Sequence, residues 1–402
     1  NARITLRYGD ANSLKNKQTA ARYAGMMLDK GTVKRNRQGI EDELDRLKAR
    51  VNIFGSGTAA FANIETDRNN LVEVIALVKE MLSAPSFDEN EFEKLKQEDL
   101  AGIEQQKSEP TALARNVQSR LIRNYEKDDV RYTMTFEEET EAIKKLTLQE
   151  VKQFHKDFYG ASNATVSVVG DFDEQAVRKA IESNFGKWKS PKPFTRIKSQ
   201  FNDVKPANEV LNTPDKSNGI FLVSQNIPMR NDNPDYPAMV LGNYMMGGGF
   251  LNSRLATRIR QKEGISYSVG SGFSASPLDE LATFTASAIY APENVQRLEQ
   301  AFKEEVDRVL KDGFTQEEID AAKSGWLQSQ QVTRSQDASV TGTLENYLFI
   351  ERDYNWDAEF EKKIAALTPE QIHAAIKKHI KPEKFVLIKA GDFEKVNKAG
   401  KP

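Results

Sequence analysis

One helix-then-strand module occurs twice in this chain at a fixed offset, and that repetition restricts the possible folds more than any other feature. Leu146-Thr-Leu-Gln-Glu-Val151 precedes Gly170-Asp-Phe172 by 24 residues, and Leu367-Thr-Pro-Glu-Gln-Ile372 precedes Gly391-Asp-Phe393 by the same 24, an offset of 221. The order of elements between these ends repeats as well. Phe87-Asp-Glu-Asn-Glu-Phe92 ahead of a long charged helix is answered by Phe314-Thr-Gln-Glu-Glu-Ile319, and an apolar helix over 71–82 by one over 292–311. Repeated elements in a repeated order predict two copies of one domain, head to tail. They run over 1–190 and 205–402, joined by a Pro- and Lys-rich linker over 189–208 that contains Pro191, Pro193 and Pro206. The expected fold class is α+β, each copy an antiparallel-dominated sheet with helices packed on one face. Hairpin-like strands and helices alternate here without the βαβ rhythm of a doubly wound sheet.

The first copy reads as a strand over 4–8, helices over 18–29 and 40–49, and a strand pair over 51–64 broken at Gly55 and Gly57. Helices over 71–82, 89–107, 110–125 and 147–159 follow, then a β-branched strand over 164–169. In the second copy a short strand over 208–211 leads into one over 220–224, whereas the strand over 4–8 has nothing ahead of it. The expectation is a chain that begins inside its first domain, as a fragment or after losing an N-terminal strand.

Composition narrows the partners. The 57 basic and 59 acidic residues are spread along the chain and give a net charge of -2, which argues against nucleic acid; Lys34, Arg35 and Arg37 read as a solvated loop. No apolar run approaches the ~18 to 20 residues of a membrane span. The start, Asn1-Ala-Arg-Ile-Thr-Leu6, is not a signal peptide, so a trimmed product is compatible with it. Without cysteine the chain has neither disulfides nor thiolate chemistry, a composition that suits an oxidising compartment.

The most specific stretch is 244–267. Gly247, Gly248 and Gly249 suit a turn or a close approach of another chain, and they lack the spacing of a phosphate-binding loop. A short helix follows, with Leu251, Leu255 and Ile259 at four-residue spacing and Asn252 or Ser253 as its cap. Gly264 ends it, and a strand over 265–273 carries Tyr267.

The tandem domains, Gly31-Thr32 after the first helix, and Arg260-Gln-Lys-Glu-Gly-Ile-Ser-Tyr267 together resemble the pitrilysin/insulinase family of zinc metallopeptidases, to which mitochondrial processing peptidase belongs. The resemblance covers essentially the whole chain. It implies that two halves, each of two similar domains, close like a clamshell around a chamber. In the catalytic half an inverted motif, His-x-x-Glu-His, and a distal glutamate hold zinc, and the motif glutamate activates the metal-bound water. Aligned on Gly31-Thr32, the first histidine falls at Arg22, the glutamate base at Gly25 and the second histidine at Met26; the distal glutamate falls at Gly102. A cation, two glycines and a thioether cannot make a hydrolytic zinc site. The helix expected over 235–246 in the second copy has no histidine, and the chain's three, His155, His373 and His379, read as structural or surface residues.

The resemblance further implies that Arg260 and Tyr267 reach a peptide held at a partner's zinc, donating hydrogen bonds to a carbonyl oxygen that gains negative charge. From the residues alone, Arg260 could equally pair with Glu263, and Tyr267 could be an ordinary strand residue. Gly247, Gly248 and Gly249 resemble the glycine-rich loop of the non-catalytic processing subunit, with a structural turn as the alternative. The expected protein is therefore a non-catalytic, substrate-binding half of a zinc metallopeptidase. It binds no cofactor itself, its partner holds the zinc in the same polypeptide or a separate subunit, and it takes a peptide substrate. The alternatives are a purely structural subunit with the same fold and a self-sufficient peptidase with a different metal site. The bacterial periplasm is the expected location, with the mitochondrial matrix as the alternative.

Overall fold

A computed structural model describes residues 1–249 and 252–394. The first half runs β1 (Ala2–Arg7), α1 (Gln18–Met26), α2 (Arg37–Arg46), β2 (Arg50–Gly55), β3 (Ala59–Glu65), α3 (Leu71–Ser83), α4 (Glu89–Ser108) and α5 (Pro110–Ile122). It continues with α6 (Phe136–Lys145), α7 (Leu148–Phe158), β4 (Ala164–Val168) and α8 (Glu174–Phe185). The second half contains β5 (Ala207–Asn212), β6 (Gly219–Ile227), α9 (Tyr236–Asn243), β7 (Ser266–Ala275), β8 (Ala282–Tyr290) and α10 (Val295–Asp312). After these come α11 (Gln316–Arg334), α12 (Asp337–Ile350), α13 (Tyr354–Ala366), α14 (Pro369–His379) and β9 (Val386–Gly391). The α+β class and the tandem arrangement agree with the sequence reading.

The two sheets have matching strand orders. The first is β2-β3-β1-β4, antiparallel throughout, and the second is β7-β8-β6-β9 with β5 added in parallel beside β9. The strands that close the repeated module, β4 and β9, each lie antiparallel to the strand that opens their sheet, β1 or β6. Among the described residues no strand stands beside β4 as β5 stands beside β9.

Local chemistry explains the helix starts. Thr135, Thr147 and Thr368 each accept the backbone N–H three residues on, from Glu138, Glu150 and Gln371, whose side chains return to the cap's own N–H. The two later boxes are the physical content of the repeated Leu-Thr-x-x-(Glu/Gln) module. Helix α2 begins at Arg37 rather than 40 because Asn36 caps it by accepting from the Gly39 N–H.

Two compact units divide the chain, and they depart from the sequence boundaries 1–190 and 205–402 at two helices. One unit takes Asn1–Ile103, Tyr125–Ile197 and Val332–Asp353; the other takes Glu104–Asn124, Lys198–Gln331 and everything from Tyr354 onward. Thus α12, from the second half, completes the first unit, and α5, from the first half, completes the second. Strand periodicity gives the reason. On β1, Ala2, Ile4 and Leu6 face the main core while Arg3, Thr5 and Arg7 face the other side, where α12 lies. Arg7 donates to the buried Glu345 carboxylate at 2.6 Å, and the Ser167 hydroxyl of β4 donates to the Thr341 carbonyl at 2.8 Å. On β6, Phe221, Val223 and Ile227 join the main core of the second unit. Ile220 and Leu222 point the opposite way, with Val386, Ile388 and Ala390 of β9, and are covered by Ala114, Val117 and Leu121 of α5.

Candidate functional site

The positions where a zinc motif would stand lie on α1 and α4 of the first unit. Arg22 Nη2 sits 2.9 Å from Asp99 Oδ2 and 3.3 Å from Glu139 Oε1, and the Tyr23 hydroxyl donates to Asp99 Oδ2 at 2.8 Å. One guanidinium is thus the counter-charge that both carboxylates share. Burial, then the adjoining Asp99 carboxylate, pushes the Tyr23 phenol well above its ordinary value, so it stays a neutral donor. Asp99 lies three residues before Gly102 on α4, hence on the same helix face, and the sequence reading missed it.

The other three positions are empty of chemistry. Met26 is half-buried, and a Cβ at Gly102 would meet no atom within 4 Å. A Cβ at Gly25 would stand 2.4 Å from the Cα of Gly55 on β2, and one at Gly55 would stand 3.0 Å from the Tyr159 hydroxyl. Helix α1 is seated directly on β2 through a glycine–glycine contact, leaving no space for a catalytic glutamate. Among the described residues no group of three or more His, Asp or Glu side chains could hold a metal ion. The histidines have partners elsewhere: His155 Nε2 is 2.8 Å from the Leu82 carbonyl, His373 Nε2 is 2.9 Å from the Leu310 carbonyl, and His379 Nε2 is 2.8 Å from Asp235 Oδ2. The first two tie repeat-related helices, α7 and α14, to the C-terminal ends of α3 and α10.

The stretch 244–267 lies in the second unit. A π-helical turn, Tyr244–Gly248, extends α9, and a second π turn, Ala256–Lys262, replaces the short helix expected there. Of the two cap candidates, Ser253 holds the N-cap position of the helical run that starts at Arg254, its carbonyl accepting from the Thr257 N–H at 2.8 Å, but its buried hydroxyl has no partner and so supplies no side-chain cap. Leu251 falls outside the described residues. Gly264, at φ +65, ends the turn. The glycines are used for close packing inside the unit. A Cβ would lie 2.7 Å from the Ser271 nitrogen at Gly247, 2.6 Å from Asn243 Nδ2 at Gly248, and 2.7 Å from the Tyr244 carbonyl at Gly249.

Three arginines leave this region, and they divide into two kinds. Arg254 is bound to Glu318 at 2.7 Å and lies 3.5 Å from the buried Glu305; Arg258 is bound to Glu304 at 2.7 Å and to Glu263. Glu263, the partner open to Arg260 in the sequence, is instead taken by Arg258 and by Arg297 at 2.8 Å. Arg260 is exposed and has no ion pair or hydrogen bond among the described residues. Tyr267 is 63% exposed, at the point where the β7–β8 register slips by one residue between Ser266 and Ser268. A bulge turns the extra side chain away from the ladder, which suits Tyr267 to outward contact.

Comparison with known proteins assigns the fold. The model of the insulinase (peptidase family M16) domain matches residues 1–133, and that of the peptidase M16 inactive domain matches residues 145–325. The chain belongs to peptidase family M16 and lacks its catalytic motif. It is 24% identical over 378 residues to the non-peptidase homolog YmxG of Helicobacter pylori, covering 94% of this chain and 85% of that protein. The crystal structure of a peptidase M16 inactive domain from Pseudomonas fluorescens superposes with a TM-score of 0.83 at 25% identity, covering 97% of this chain and 92% of that one. The periplasmic protease PqqL of Escherichia coli superposes with a TM-score of 0.70 at 15% identity over 97% of this chain but only 42% of its own.

Proposed function

We propose that this chain is the non-catalytic, substrate-binding half of a zinc metallopeptidase, closing a chamber with a zinc-bearing partner and supplying Arg260 and Tyr267 to the bound peptide. The observation that carries this reading is the contrast among the arginines. Arg254 and Arg258 are consumed by ion pairs, while Arg260 and Tyr267 project into solvent with their donors unused. Gly247, Gly248 and Gly249 serve indirectly, letting the first π turn lie against β7 and so fixing the corner from which Tyr267 emerges. A relative that is a periplasmic protease of about twice this length supports both a second half and an extracytoplasmic location.

The test is made in the reconstituted two-half enzyme. Tyr267→Phe should lower kcat by about 10²- to 10³-fold with little change in KM, because the lost hydrogen bond is strongest to the developing oxyanion. Arg260→Lys should be nearly as harmful as Arg260→Ala, since lysine lacks the planar fork. Full activity in both would make the chain a structural subunit.

A further inference from the structure

A cleft of about 290 Å³ in the second unit lies between α5 and the open part of the sheet face formed by β8 and β7. Helix α5 turns Ala114, Val117 and Leu121 onto β6 and β9, and the neighbouring stripe, Arg115 and Gln118, overhangs the cleft. Its floor is Gly270, Gly272, Thr285 and Ser287. Gly272 keeps the floor low, since a Cβ there would stand 3.0 Å from Thr285 Oγ1. Arg115 is exposed, and Arg115, Gln118 and Ser287 have no side-chain hydrogen bond or ion pair among the described residues. No carboxylate is among the described residues lining the cleft. A guanidinium, an amide and a hydroxyl therefore line one cleft with donors to spare and no carboxylate in its described lining to satisfy them.

We propose that this cleft binds a carboxylate of an extended peptide, an aspartate or glutamate side chain, with Arg115 as the charged anchor and Gln118 and Ser287 as flanking donors. The glycine floor admits a peptide backbone close to the sheet, and the planar guanidinium suits a carboxylate in fork geometry. The proposal rests on the reading that the chain binds peptide, but it needs neither the partner half nor Arg260 and Tyr267.

The experiment is calorimetric titration of the full chain with an unstructured ten-residue peptide bearing one central Glu, against the same peptide with Gln, and against free acetate. The Glu peptide should bind at least tenfold more tightly than the Gln peptide, with acetate weaker than both. Arg115→Ala and Arg115→Gln should erase the preference while leaving the melting temperature unchanged, because the side chain is exposed. Ser287→Ala should reduce it a few-fold. An Arg260→Ala, Tyr267→Phe double variant should keep the preference, so this result and the catalytic test can fail separately. Equal binding of the two peptides, no binding of either, acetate binding as tightly as the Glu peptide, or a preference that survives loss of Arg115 would each overturn the proposal.

Discussion

Gly25 shows how little of a lost active site lies in the missing ligands. A methyl group there meets the Gly55 backbone at 2.4 Å, so Gly25→Ala should lower unfolding free energy by about 1 to 3 kcal/mol, measured by urea denaturation. For the same reason, joint replacement of Arg22 and Met26 by His and of Gly25 and Gly102 by Glu should yield no stoichiometric zinc by metal analysis after dialysis. The sequence could identify the four non-ligands, because residue type is enough for that. It could not identify Asp99 and Glu139 as the carboxylates that hold Arg22, because they arrive from two other helices. His155 makes a second prediction at this scale. Burial, the largest cause, with Lys79 also nearby, holds its imidazole below the ordinary 6.5, while the Leu82 carbonyl opposes the shift. The unfolded chain then takes up the proton first, so the stability His155 contributes is intact above pH 6.5 and is lost as pH falls through the folded value. Melting temperature should drop on acidification from pH 7 toward 5, with a shallower drop in His155→Gln; equal slopes would count against it.

Among the elements, those carrying a local signature were the legible ones. The Thr-capped helices α7 and α14 and the strands β1 and β3 announce themselves through residues a few positions apart, whereas β8 was not read from the sequence. The π turn at Ala256–Lys262 did not announce itself: Leu255 and Ile259 at four-residue spacing read as an ordinary helix, and the widening lies in the backbone, where the Glu263 N–H reaches the Arg258 carbonyl five residues back at 3.2 Å. Nor did the placement of α12, whose determinant is Glu345, buried among Arg3, Arg7 and Thr165 from strands far away in sequence. Glu345→Ala leaves two arginines facing each other without their counter-charge and should cost about 3 to 5 kcal/mol. Pairing Arg7→Met with Glu345→Leu should recover a large part of that loss, because an apolar pair avoids the stranded charge; a double variant no better than Glu345→Ala would refute this account.

For the molecule as a whole, the repeat in the sequence and the units of the fold are different divisions. Duplication was legible because offset is a property of sequence, whereas the reassignment of α5 and α12 depends on which apolar and charged faces meet in space. Fragments 1–197 and 198–402 should each lack the helix that covers the outer side of their sheet, so neither alone should melt cooperatively by calorimetry. Mixed, or coexpressed, they should assemble and regain one cooperative transition. Independent cooperative folding of both fragments would show that α5 and α12 are dispensable.

The reassignment of α12 also sets a schedule for the newly made chain. At about 5 to 20 residues per second, the stretch from Val168 to Ile350 takes roughly 10 to 40 s to synthesise. Through that interval the first sheet has all four of its strands synthesised, with Arg3, Arg7 and Thr165 still waiting for Glu345. A nascent chain paused before residue 337 should therefore be a preferred substrate for holding chaperones, and release should coincide with the emergence of α12.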